Sequence, residues 1–299
     1  MKKKSIGLLI VILLIWSFPP VLIKYLDFSF SPFTQNFYRY LISALFLLLF
    51  EYIFYKKDLL ICLKKIKLFL VPALTITLYQ TFFTLGIILS QANTCAFLSK
   101  ISGVFVILLA CLFLPEERSI IREKNFILGF IITFSSTAAI TLSKGKVNFS
   151  LGSSLLVLSM FFWALYTVEI KQILKKTKIK EIAAVSFVLS LATLFLFFPA
   201  IPRIKEVFQA PLMDNLILFI SGFVCIGLAG TIYYLLLRKI GATITVNSLL
   251  LTSFITVVLS FFFLKEKITL LQFIAGIFLI LGCYFILKAS NNTGKENNY

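Results

Sequence analysis

Lys100 stands inside an apolar run, Ala92–Leu114, that is long enough to cross a bilayer. At about 1.5 Å rise per residue it lies roughly 12 Å in, near the middle of a ~30 Å hydrocarbon layer. A charge at that depth costs at least ~2.5–3.5 kcal/mol and normally faces a bundle interior or a wet cavity. The chemistry it offers is attraction of a carboxylate, phosphate or other anionic group. The bland reading is pairing within the bundle or snorkelling to the interface, and mid-membrane depth opposes the latter. Asn93, Ala96 and Gly103 share its helical face by i+3 and i+4 spacing. The two small residues leave space for a ligand or for a close helix.

Other side chains with chemical potential sit in similar runs. Trp16 and Trp163 are deep aromatics that suit stacking on a substrate or core packing equally well. Tyr79, Gln80, Tyr233 and Tyr234 are further polar candidates. Thr245, Ser248, Thr252 and Thr256 form a stripe with Asn247 beside it, and the amide is the costlier group to leave in lipid. Pro19 and Pro20 remove two backbone donors and are expected to kink their helix, which can expose carbonyls and hinge a gate. Arg39, near an outer helix end, is expected to snorkel or to close an outer mouth. Lys24 is expected to snorkel, and Glu169 to pair with Lys171 at an interface.

These residues need a scaffold, and composition names its class. The chain is 60% hydrophobic with 34 Phe and a mean hydropathy of +1.01. A soluble domain averages about 45–50% apolar, so a single water-surrounded core cannot absorb this excess. Histidine is absent, which removes the commonest general base and metal ligand. Cys62, Cys95, Cys111, Cys225 and Cys283 are scattered without C-x-x-C spacing and read as small packing residues. No cofactor is implied, and no clustered catalytic set favours an enzyme.

Ten apolar segments are expected, at about 6–25, 34–55, 66–88, 92–114, 125–142, 151–170, 181–200, 213–237, 242–264 and 269–288. The first continues past a signal-peptide length and is read as a retained helix. Placing the N-terminus in the cytoplasm puts 20 Lys and Arg in inside segments and 6 in outside loops, with Lys24, Arg39 and Lys100 within helices. Both termini are then cytoplasmic. The net charge of +17 is accounted for mostly by these loops, without a nucleic-acid partner.

The halves repeat. Trp16–Lys24 aligns with Trp163–Lys171 at an offset of 147, and Ala92–Glu116 with Ala242–Glu266 at an offset of 150. Lys100 therefore stands opposite Leu250. Each half, 6–142 and 151–288, holds five helices, followed by a tail at 289–299 expected to be disordered. Five is odd, so the second half is inverted. The expected fold is an all-α integral membrane protein of ten transmembrane helices in two inverted five-helix repeats. That architecture belongs to secondary transporters with a midplane site between the halves.

The chain resembles EamA-type transporters of the drug/metabolite transporter superfamily. The resemblance is carried by Trp-Ser-Phe-Pro in helix 1 and Phe-Tyr-Arg-Tyr-Leu in helix 2. It extends to the Leu-Pro-Glu-Glu-Arg and Leu-Lys-Glu-Lys corners, each followed by a glycine-bearing helix. It implies a ten-helix carrier in a bacterial cell (inner) membrane that exports or imports amino acids or other metabolites. The family's usual proline in helices 4 and 9 is missing; those positions read Ile-Ser-Gly-Val (101–104) and Thr-Ser-Phe (252–254).

The combined expectation is a carrier for an amino acid or other zwitterionic or anionic metabolite. Alternating access is expected, with Lys100, Asn93, Gly103, Asn247, Trp16, Trp163, Tyr79 and Gln80 at the substrate and Pro19, Pro20 and Arg39 at the gates. No acidic residue is expected at mid-depth, which favours exchange or facilitated transport with Lys100 as the only fixed midplane charge. The other readings are a channel-like pore and an integral membrane lipid-modifying enzyme. Expected partners are the bilayer and a small-molecule substrate, with a monomer or weak homodimer as the assembly.

Overall fold

The computed structural model describes residues 3–90, 95, 98–142, 150–177, 179–255, 258 and 269–292. Every regular element among them is helical. In chain order they are α1 (Lys3–Ile15), α2 (Pro19–Leu26), α3 (Pro32–Phe54), α4 (Lys56–Lys64), α5 (Lys67–Leu89), α6 (Ser102–Phe113), α7 (Lys124–Leu142), α8 (Leu151–Thr177), α9 (Glu181–Ala200), α10 (Leu212–Ile220), α11 (Ala229–Ile240), α12 (Ala242–Ser248) and α13 (Leu270–Asn292). The last helix thus runs past Ala289, where the sequence reading begins its tail.

Seven helical stretches are long and apolar enough to cross a membrane: Ser5–Leu26, Pro32–Phe54, Lys67–Leu89, Leu151–Thr177, Glu181–Arg203, Leu212–Ile240 and Leu270–Ala289. Three shorter apolar helices, Ser99–Phe113, Lys124–Ile140 and Ala242–Ile255, complete the described set. Apolar side chains cover the outside. Leu45, Leu49 and Ile53 of α3 form an exposed i, i+4, i+8 stripe, which suits hydrocarbon rather than water.

Local chemistry sets the breaks. Pro19 and Pro20 occupy the first two positions of α2, where their missing N–H groups are unneeded, so helix 1 is two helices joined by a turn at Trp16–Phe18. Ser31 starts α3, its hydroxyl accepting the Thr34 N–H at 3.4 Å with Pro32 next in line. A π-helical segment, Ser221–Leu228, separates α10 from α11 within one long span.

The packing pairs helices across the two halves. α7 lies along α13, α5 along α8, α3 along α9, α6 against α12, and α1 against α11. This pattern maps onto itself when the halves are exchanged: α3 and α9, α6 and α12, and α7 and α13 meet their own equivalents, and the α1–α11 contact is matched by α8–α5. Glycines permit the tightest of these contacts. A methyl group on Gly129 of α7 would lie 2.6 Å from the Gly282 carbonyl of α13, so the backbones touch directly.

Candidate functional site

A cavity of about 180 Å³ lies between the halves. Trp16, Pro19, Pro20, Arg39, Tyr79, Gln80 and Lys100 line it from the first half; Trp163, Tyr166, Tyr233, Leu250 and Thr252 line it from the second. The walls follow helical spacing. Met160, Trp163 and Tyr166 step by three along α8, and Ile76, Tyr79, Gln80 and Phe83 step by three and four along α5.

The aromatic residues form one cluster. The ring centroid of Trp163 lies 5.4 Å from that of its repeat mate Trp16, 4.8 Å from Tyr79, 5.0 Å from Tyr233 and 5.6 Å from Tyr166. Trp16 donates from Nε1 to the Cys225 carbonyl at 2.9 Å. That acceptor sits in the π-helical segment, whose widened turn makes carbonyls available. The Ser43 hydroxyl takes another of its carbonyls, Gly222, at 2.6 Å. Behind the cluster Tyr166 bonds Tyr234 at 2.5 Å, and Thr167 bonds Tyr233 at 2.6 Å, through their hydroxyls.

Lys100 lies in a 3-10 turn, Ser99–Ile101, that precedes α6. The second half has a 3-10 turn at Leu249–Leu251 after α12, at the same offset of 150. A hydroxyl supports each turn. Ser102 donates to the Ser99 carbonyl at 3.1 Å, and its equivalent Thr252 donates to the Leu249 carbonyl at 2.7 Å. Serine and threonine that back-bond in this way bend helices. Lys100 Nζ donates to Thr252 Oγ1 at 2.5 Å, so the two turns meet at the cavity wall.

Arg39 is the second cation of the cavity. It is 2% exposed, and its Nε and Nη1 have no hydrogen-bond partner among the described residues. Its helix is held close to the π-helical segment, because a methyl group on Gly222 would lie 2.8 Å from the Arg39 carbonyl. Lys100 is therefore not the only cation of the cavity, and the Arg39 side chain is turned inward rather than outward. Depth along a helix, the only cue in the sequence, does not give the angle at which a side chain leaves it. Among the described residues no Asp or Glu lines the cavity.

Other expected site residues lie elsewhere. Asn93 and Thr256 fall outside the described residues. Gly103 and Asn247 do not line the cavity; they pack on each other at the α6–α12 crossing, where Gly103 leaves room for the amide oxygen. Asn247 is fully buried and donates to the Thr243 carbonyl at 2.9 Å. Thr245 back-bonds to the Gly241 carbonyl at 2.6 Å. Gln80 lines the cavity yet is tied into a buried network, donating to Asn36 Oδ1 at 3.1 Å and Thr84 Oγ1 at 3.0 Å. Glu169 is not paired with Lys171; it accepts from the Thr75 hydroxyl at 2.9 Å. Tyr40 and Tyr166 line the cavity without having been singled out, although Tyr166 follows from the three-residue step after Trp163.

Polar contacts tie the two halves together at the start of α12. Glu117 accepts the Ala242 and Thr243 N–H groups, each at 2.7 Å, and so caps α12. Gly241, with φ of 90°, makes the turn beside it. Glu116 pairs with Lys175 across the halves at 3.2 Å, and within the second half Arg238 pairs with Glu181 at 3.1 Å. Outside the spans, Glu116 is pulled two ways: burial raises its pKa, while its backbone hydrogen bond and Lys175 bring it below the ordinary value.

Comparison with known proteins places this geometry. The EamA-like transporter family matches residues 3–142 and again 150–288. An uncharacterized transporter of Archaeoglobus fulgidus is 29% identical over 95% of this chain and 97% of its own. One of Haemophilus influenzae is 26% identical over 74% of this chain and 78% of its own. A solved crystal structure shares the fold, with a TM-score of 0.79 at 12% identity, over 98% of this chain and 99% of the other. The chain is a multi-pass membrane protein built from two such repeats, and it belongs to the EamA-like transporter family.

Proposed function

We propose that the protein is a secondary carrier that moves a small metabolite with an anionic group, an amino acid or another zwitterionic or anionic compound, by alternating access. The observation that carries this reading is the cavity between the halves, with Lys100 and Arg39 in a wall built from both repeats. The ten apolar segments act as ten spans in two inverted sets of five. Both termini are cytoplasmic in a bacterial inner membrane, as the Lys and Arg distribution favours. Self-consistent pairing of helices across the halves supports the twofold relation. Proton coupling of the usual carboxylate type has no candidate among the described cavity residues, which favours exchange or facilitated diffusion.

Proteoliposomes test this. Saturable counterflow of a labelled substrate is expected, without need for a pH gradient. Uptake driven by a pH gradient alone, with no counter-substrate, contradicts the exchange reading. A Lys100→Ala protein that folds and exchanges normally removes Lys100 from the site.

A further inference from the structure

From the arrangement of charge in the cavity we infer that the preferred substrate is a small organic dianion, with two separated carboxylate or phosphomonoester charges. This deepens the carrier reading and rests on it.

Arg39 carries the inference. It is almost wholly buried, lines the cavity, and presents two nitrogens that no described residue satisfies. A guanidinium stripped of water and left without acceptors is costly, because burial removes hydration that only a matching anion restores. Its planar fork fits carboxylate and phosphate oxygens. Lys100 supplies the second point of attachment. Its bonded neighbour is the neutral Thr252 hydroxyl, which leaves the ammonium charge uncompensated. The two cations reach the cavity from different helices, α3 and the turn before α6.

No carboxylate on the described walls offsets either charge, and the rest of the lining is mainly aromatic and apolar. A zwitterion would bring its ammonium into a field that is already positive. A monoanion would leave one cation unmatched. Two anionic groups joined by a short apolar body neutralise both, and a cavity of about 180 Å³ sets that body at a few carbons.

The test uses the full-length protein in detergent and in proteoliposomes. Binding is measured for succinate, phosphoglycolate, butyrate and leucine, and each is offered as the counter-substrate for its labelled form. At least one of succinate and phosphoglycolate is expected to bind roughly 30-fold more tightly than butyrate or leucine, since either of those leaves a buried charge unmatched. Whether succinate or phosphoglycolate is favoured distinguishes a second carboxylate from a phosphate. Arg39→Gln and Lys100→Gln should each bring dianion binding down to within a few-fold of butyrate binding to the same variant; Arg39→Lys, which keeps the charge, should retain part of the preference. Butyrate or leucine binding as well as both dianions overturns the inference, as does a Lys100→Gln protein with its preference intact. Leucine counterflow without dianion counterflow leaves the carrier standing and removes the dianion. Dianion binding without any counterflow does the reverse.

Discussion

Lys24 and Lys171 occupy equivalent places in the two repeats and make the same bond with a different grip. Lys171 Nζ donates to the Leu237 carbonyl at 2.7 Å and is 3% exposed. Lys24 Nζ donates to the Ser90 carbonyl at 3.3 Å from an exposed position. Each ties the end of its half's first helix to the end of that half's third.

The two lysines should therefore differ on substitution. Lys171→Met removes a buried charge-assisted hydrogen bond and is expected to cost about 1.5–3 kcal/mol. Lys24→Met should stay within about 0.5 kcal/mol of the parent. Thermal unfolding of the two purified variants side by side measures the gap, and equal losses would show that burial at Lys171 does not strengthen its bond.

Glu117 joins the repeats through two N–H groups of α12. Glu117→Ala is expected to cost roughly 3 kcal/mol and Glu117→Gln about half of that, because the amide keeps one acceptor. Gly241→Ala should cost about 1–2 kcal/mol for its backbone conformation alone. A methyl group there would also sit 2.9 Å from Glu117 Oε1. Unfolding midpoints that do not move would separate this corner from stability.

The α7–α13 contact depends on bare backbone. Gly129→Ala should cost about 1–3 kcal/mol, as overpacking does. Gly7→Ala is the control: nothing lies within 4 Å of a methyl group there, and it should stabilise α1 by roughly 0.5–1 kcal/mol. The opposite order in thermal unfolding would contradict the packing described.

Trp16→Phe keeps a ring in the aromatic cluster and deletes the donation to Cys225. A loss of about 1 kcal/mol is expected, together with faster amide exchange through Ser221–Leu228. Unchanged exchange there would mean that the indole does not hold the π-helical segment.

Lys100 was legible because a lone charge in an apolar run is conspicuous, and the paired tryptophans because repeats preserve position. Both line the cavity. What escaped was direction. Asn247 was expected to face a cavity and instead faces Gly103, since a polar residue in lipid is equally well served by a helix contact. Glu169 and Lys171 are two apart, and i, i+2 residues on a helix do not face each other. Their actual partners, Thr75 and the Leu237 carbonyl, are distant in sequence. The unmatched nitrogens of Arg39 follow from its surroundings, which a run of apolar letters does not encode.

The matched turns at Ser99–Ile101 and Leu249–Leu251 have a kinetic corollary. A perfect twofold through an inverted pair would make the two membrane faces interchangeable, so a substrate would meet the same affinity from either side. Here the bends are duplicated but the ammonium is not: Lys100 on one strand of the symmetry is Leu250 on the other. With the halves inverted as proposed, that unshared charge releases the carrier from equal affinities, and its two half-saturation constants become independent.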